Sequence, residues 1–189
     1  KNSTKTEMNH KVIDNFLDEE YFNNLVSLLG KIPWYYYENV ASVTTVQRNI
    51  FYLYHLLYTD NKPISPHYDK LIPVMEKLGG ECLIRIKGNL YPNTETLHEH
   101  PMHSDYSFSH TAAILSMNTC DGYTKLADGT KIDSIANRLL VLDGSEKHCS
   151  TTTTNAPARW NFNFNFLQPN IPASLTIHDQ HPELREFRT

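Results

Sequence analysis

The chain has 189 residues, the size of one domain, and its 40% hydrophobic and 20% charged content excludes wholesale disorder and a coiled coil. Seventeen basic against 21 acidic residues give a formal charge of −4 without a basic stripe, so little attracts a phosphate backbone and no nucleic-acid partner is expected. Aliphatic runs such as Leu139 to Leu142 fall far short of the roughly 20 apolar residues of a spanning helix, and no membrane partner is expected.

Lys1 to His10 is polar and lacks the apolar stretch of a signal peptide, which predicts a reducing, cytoplasmic setting. Asn2-Ser3-Thr4 is a glycosylation sequon by pattern only. From Val12 to Leu29, the residues Leu17, Tyr21, Phe22, Leu25, Val26 and Leu29 recur at three and four, predicting an amphipathic helix with Asp18 as N-cap and Gly30 as its stop. The run Trp34-Tyr35-Tyr36-Tyr37 is expected in the core, and Ile50 to Tyr58 favours extended chain. A second helix is expected over Ser65 to Leu78, opened by Ser65-Pro66, kinked at Pro73 and closed by Gly79-Gly80.

Beyond Gly80 the pattern becomes one of short strands: Glu81 to Tyr91, Thr111 to Asn118, Tyr123 to Ala127, Thr130 to Asp133, Arg138 to Asp143 and Arg159 to Leu167. Asp128-Gly129 makes a hairpin turn, and Thr151 to Thr154 a polar loop. Helices followed by strands predict an α+β fold, a β-sandwich or jelly roll supported on one side by N-terminal helices. One domain is expected over 1–189, with helical support at about 12–79, a strand core at about 81–167 and a tail at 168–189. Cys82, Cys120 and Cys149 are widely spaced and read as buried structural thiols.

The last strand, Arg159-Trp160-Asn161-Phe162-Asn163-Phe164-Asn165-Phe166, alternates strictly. Period two puts the aromatics on one face, packed under the helices, and Arg159, Asn161, Asn163 and Asn165 on the other, facing the barrel interior. A polar interior suits an active site, because a purely structural sandwich fills that face with aliphatic side chains.

The densest metal-competent segment is His98-Glu99-His100-Pro101-Met102-His103-Ser104-Asp105. In extended chain His103 and Asp105 share a face, and His148, beyond the strand ending at Asp143 and the turn Gly144-Ser145, can supply a third ligand. Two imidazoles and one carboxylate leave open octahedral positions, the arrangement of non-haem Fe(II) oxygenases. Arg159, eleven residues past His148, can grip a carboxylate through its fork. His98, His100 and His110 read as loop or rim histidines, Arg85 and Lys87 share one strand face and read as solvated edge charges or as partners of an anionic group, and Tyr91 reads equally as a plain strand aromatic.

His103-x-Asp105, His148 and Arg159 resemble the Fe(II)/2-oxoglutarate-dependent oxygenase superfamily. With Gly122-Tyr123-Thr124, Asp128-Gly129-Thr130, Asn137-Arg138-Leu139-Leu140, Asp143-Gly144 and Arg159-x-Asn161, the segment from Asn118 to Phe166 looks like the prolyl-4-hydroxylase-like branch, in its small phage and bacterial forms. The resemblance implies a double-stranded β-helix in a bacterial or virus-infected cell. It implies Fe(II) on His103, Asp105 and His148, and 2-oxoglutarate on the metal with its far carboxylate on Arg159. Dioxygen is then the oxidant for C–H hydroxylation, with a prolyl group as substrate in a peptide or small molecule. It offers Tyr91 as a further cosubstrate contact, and Asn161 where many relatives carry serine or threonine. The presence of Asp105 favours hydroxylation, since related halogenases lack that carboxylate. Two alternatives stand beside it: a cupin-type metalloenzyme, from the His98-x-His100 spacing, and an inactive jelly-roll binding module. Arg159 separates the first, because a cupin needs no carboxylate-gripping arginine, and the complete ligand set opposes the second.

Overall fold

The computed structural model describes residues 10–38, 51–80 and 82–168. The sequon, the segment before His10, residue 81 of the strand expected from there, and residues 169–189 of the tail lie outside the described residues. In chain order the strands are β1 (His10–Ile13), β2 (Tyr35–Tyr37), β3 (Tyr52–Thr59), β4 (Lys62–Pro63), β5 (Cys82–Pro92), β6 (Thr111–Ser116), β7 (Tyr123–Leu126), β8 (Lys131–Asp133), β9 (Leu139–Asp143), β10 (His148–Ser150) and β11 (Ala158–Leu167). Helices α1 (Glu19–Leu29) and α2 (Ile72–Leu78) complete the set.

An antiparallel sheet in the order β1-β9-β6-β11-β5-β3-β2, with β4 added to β3, is joined by a smaller antiparallel sheet, β10-β7-β8. This is the jelly roll expected from the strand pattern, with β11 at the centre of the large sheet. Strand alternation sorts its two faces as the sequence predicts. Phe162, Phe164 and Phe166 are fully buried with Leu25 and Leu29 of α1 and Val74 and Met75 of α2. Burying each phenylalanine contributes about 1.5–3 kcal/mol, so this face anchors the helices to the sheet. Arg159, Asn161, Asn163 and Asn165 are buried on the opposite face.

Several expectations give way. The first helix begins at Glu19, because His10–Ile13 pairs with β9 as an edge strand and takes Val12 out of the helical period. Asp18 occupies the N-cap without a side-chain cap bond, and Gly30 ends the helix at φ −79°, without a left-handed turn. The second helix is divided: a 3₁₀ turn at Tyr68–Leu71 precedes α2, whose first turn holds Pro73, where a missing N–H costs nothing and no kink is needed. Gly79 does cap α2 in the left-handed region, at φ 65°. The expected helical support therefore also contains β1 to β4. Trp34 packs against the core, whereas Tyr35, Tyr36 and Tyr37 are 54%, 63% and 52% exposed on the outermost strand of the large sheet. Of the cysteines only Cys149 is buried; Cys82 is exposed and Cys120 half-buried. In the polar loop Thr151 to Thr154, Thr151, Thr152 and Thr153 are buried and Thr154 is exposed. Among the described residues no helix is long and apolar enough to cross a membrane.

Candidate active site

The loop after β5 and the short strand β10 meet at an isolated antiparallel bridge in which His103 and His148 exchange both backbone bonds, each 2.9 Å. Residues so paired point to one face, and the ring centroids lie 4.9 Å apart. The Asp105 N–H donates to the Gly144 carbonyl at 2.9 Å, which fixes the loop two residues on. Ligand atoms of His103, Asp105 and His148 consequently all fall within 4.8 Å of one another, a cluster able to hold a metal ion. His148 lies beyond β9 and the turn Gly144-Ser145, as expected, and opens β10, which is ordered by pairing with β7. Its Nδ1 donates to the Glu146 carbonyl at 2.9 Å, leaving the Nε2 lone pair free for a metal. Burial, and then the neighbouring His148, push His103 down to about 4, so its imidazole is neutral near pH 7.

Asp105 is held ionised by its surroundings. Burial opposes the charge, but Arg85, His148, Asn163 and Asn165 outweigh it and keep the carboxyl well below the usual carboxylate range. Arg85 Nη2 donates to one carboxylate oxygen at 3.0 Å, and Asn163 and Asn165 donate to the other at 3.0 and 2.8 Å. His110, expected at a rim, is buried here: its Nδ1 donates to the Phe108 carbonyl and its Nε2 accepts from Asn165, which sets the Asn165 amide towards Asp105.

Arg159 is 1% exposed at the start of β11. Its Nη2 donates to Thr124 at 2.8 Å, while Nε and Nη1 have no partner among the described residues. Tyr91 faces it across the strand pair, with the guanidinium carbon 5.6 Å from the ring centroid. The Tyr91 hydroxyl accepts from Ser150 at 2.9 Å, and burial raises its pKa, so it stays protonated. His100, also expected at a rim, is 3% exposed, tilted against Tyr91 at 5.1 Å, and both its ring nitrogens are unpartnered. A buried guanidinium without an acid beside unsatisfied imidazole nitrogens is a costly arrangement that an anionic acceptor would relieve. These residues therefore fit a dicarboxylate reaching from the metal cluster into the barrel. Asn161 lines the cavity between the two ends, its Oδ1 accepting from Asn89 at 2.9 Å.

The narrow cavity beside the metal cluster is also walled by Tyr52, Lys87, Asn89, Ser150 and Asn163. Arg85 and Lys87 are therefore inward residues of a central strand, not solvated edge charges, because β11 and β3 flank β5 on both sides. The polar alternation Arg85, Lys87, Asn89, Tyr91 was the available signal, parallel to that of β11. His98 is half-buried, with its backbone N–H bound to Thr152. Burial raises the pKa of the Cys149 thiol, and the adjacent strand position points it away from His148.

No protein-family model and no curated protein matches the chain. Solved structures do. An oxidoreductase of the 2OG-Fe(II) oxygenase family from Burkholderia pseudomallei is similar over 87% of both chains, with a TM-score of 0.65 and 10% identity. A Pseudomonas putida prolyl-4-hydroxylase is similar over 86% of this chain and 94% of its own, at 0.59 and 16% identity. A Trichoplax adhaerens prolyl hydroxylase, solved in complex with a hypoxia inducible factor oxygen degradation domain peptide fragment, is similar over 84% and 83%, at 0.62 and 14% identity. With the jelly roll, the inward asparagine ladder and the His-Asp-His cluster on the page, the chain shares the double-stranded β-helix fold of the 2OG-Fe(II) oxygenases.

Proposed function

We propose that this single-domain protein is a 2-oxoglutarate-dependent dioxygenase in which His103, Asp105 and His148 hold Fe(II) and Arg159 holds the far carboxylate of 2-oxoglutarate. The observation that carries the reading is Arg159, a buried cation whose Nε and Nη1 have no partner among the described residues, at the far wall of a barrel that opens on the ligand cluster. A cupin-type site has no use for that charge, and a binding-only module has none for a preassembled facial triad. When bound, Fe(II) and 2-oxoglutarate supply the oxidation, in which dioxygen converts the cosubstrate to succinate and CO2 while a C–H bond becomes C–OH. The chain's own part is positional. Asn163, Asn165 and Arg85 keep Asp105 charged and aimed, Glu146 fixes the His148 tautomer, and Tyr91, His100 and Asn161 line the path of the cosubstrate.

A prolyl group, free or in a peptide, is the substrate suggested by the similarity to prolyl hydroxylases, one of them holding a peptide. Tyr106 and Phe108 support it: they stack at 5.3 Å just past the metal ligands, and Phe108 is 47% exposed, apolar surface on which a pyrrolidine ring can rest. Anaerobic titration with Fe(II) and 2-oxoglutarate tests the reading. A visible charge-transfer band is expected, and a protein that binds the metal but never develops the band is no such enzyme. Proline and proline-rich peptides should then yield products heavier by one oxygen; if neither stimulates succinate release, the prolyl assignment fails and the cofactor chemistry stands.

A further inference from the structure

The inward face of β5 carries two cations, and only one of them has a counter-charge. Arg85 pairs with Asp105 at 3.0 Å. Lys87, two residues on, is half-buried and lines the narrow cavity beside His103, Asp105 and His148. Among the described residues no carboxylate lies within ion-pair distance of its amine. Its polar contact is a 3.4 Å approach to the Tyr52 hydroxyl, and burial raises that phenol well above its ordinary value, so it offers no negative charge. Burial and then Arg85 push the Lys87 amine down to about 7, as happens to an ammonium left without a counter-charge.

Strand register places this amine at the metal end of the barrel and Arg159 at the other. Lys87 is opposite Asn163, which donates to Asp105 at 3.0 Å, whereas Arg159 is opposite Tyr91, further along β5 on the same face. At about 3.4 Å per residue the two pairs lie about 14 Å apart along the strand. The side chains close part of that gap. The Lys87 amine reaches the hydroxyl of Tyr52, whose ring stacks on Tyr91 at 5.8 Å, and the Arg159 guanidinium carbon lies 5.6 Å from the same Tyr91 ring. Between the two cations the lining is uncharged, with Asn89, Ser150 and Asn161. One dicarboxylate therefore meets a cation at each of its ends, with no second molecule in the cavity. We infer, resting on the dioxygenase reading, that Lys87 is a second cosubstrate anchor: its amine pairs with the carboxylate of 2-oxoglutarate that adjoins the ketone, while Arg159 holds the far one. A 2-oxo acid lacking the far carboxylate, or a ketone lacking the near one, leaves one of the two cations unpaired, so the barrel selects for both charges.

The test uses the whole protein with Fe(II) under anaerobic conditions and two probes. One is 2-oxoglutarate. The other is levulinate, which keeps the ketone and the far carboxylate but has a methyl group in place of the carboxylate beside the ketone. The charge-transfer band reports 2-oxoglutarate, and levulinate is read by its displacement of that band. In Lys87→Met the affinity for 2-oxoglutarate should fall about tenfold or more, while Fe(II) and levulinate bind within about twofold of the unaltered protein, because a single charge pair is lost. Arg159→Ala should weaken both probes. Lys87→Gln keeps much of the reach and polarity of the side chain without its charge, and carries the same test if the apolar substitution disturbs folding. The inference is overturned if 2-oxoglutarate affinity stays within about twofold in the Lys87 variants. It is equally overturned if levulinate weakens in parallel with 2-oxoglutarate, which would make Lys87 a structural residue. Absence of the band in the unaltered protein would remove the dioxygenase reading itself, a separate failure.

Discussion

Asp105 differs from the two histidines in what it does for the fold. It neutralises Arg85 and satisfies two asparagine amides, and its side chain is only 4% exposed. Each of His103→Ala, Asp105→Ala and His148→Ala is expected to abolish the charge-transfer band, but only Asp105→Ala should also destabilise, by about 1–3 kcal/mol in denaturant unfolding, because it strands a partly buried guanidinium. Equal stability across the three would mean that Arg85 needs no counter-charge. Arg159→Ala should keep the metal and weaken 2-oxoglutarate about 10- to 100-fold, with Arg159→Lys recovering part of the loss, since a point charge replaces a fork. Unchanged cosubstrate affinity in Arg159→Ala would move the carboxylate site elsewhere.

Among the elements, β7 and the turn before it decide where Arg159 can lie. A Cβ on Gly122 would sit 2.6 Å from Arg159 Cδ and 2.7 Å from the Thr152 carbonyl, so only glycine lets the arginine stem pass. Gly122→Ala is therefore predicted to act as a remote Arg159 variant, lowering 2-oxoglutarate affinity by tenfold or so while metal binding persists, since the ligands are on other segments. Titration of the metal and of the cosubstrate on the same sample separates the two effects, and a parallel loss of both would point to general unfolding instead.

Across the whole molecule, Asn137 ties the N-terminal segment to the sheet in addition to the pairing of β1 with β9. Asn137, in the left-handed region at φ 61°, accepts from the Leu17 N–H at 2.9 Å and donates to the Leu17 carbonyl at 2.7 Å. Asn137→Ala should cost about 2–4 kcal/mol, from the backbone conformation and two buried bonds, and Asn137→Gly less, because glycine keeps the conformation. Denaturant midpoints measure both, and equal losses would show that the conformation contributes nothing. Asp121 ties the buried threonine segment by accepting from the Thr153 hydroxyl at 2.6 Å and the Thr154 N–H at 2.9 Å. Burial works against its charge, but these bonds prevail and lower it from 3.8 to about 2. A depressed folded-state value contributes stability above the unfolded value, and that contribution disappears as pH falls through about 2. The melting temperature of Asp121→Ala should accordingly lie below that of the unaltered protein at pH 6 and converge with it near pH 2; a gap that survives in acid would rule out the carboxylate as its cause.

The sequence by itself determined what is local and periodic. The alternation of β11 sorted Arg159 and the asparagines from the aromatics, and the two-residue spacing of His103 and Asp105 put both on one face, because side-chain direction in a strand follows from period two alone. The tertiary structure decided what depends on neighbours. Whether Arg85 and Lys87 met solvent or the cavity turned on β5 being central, which no pattern within β5 states. His10–Ile13 left the helical period because β9 offered an edge, and His100 and His110 became interior because the loop after β5 folds back on β10 and β11. Pairing between segments far apart in the chain sets burial and partners, and burial and partners are what make a side chain at this site charged, neutral or unsatisfied.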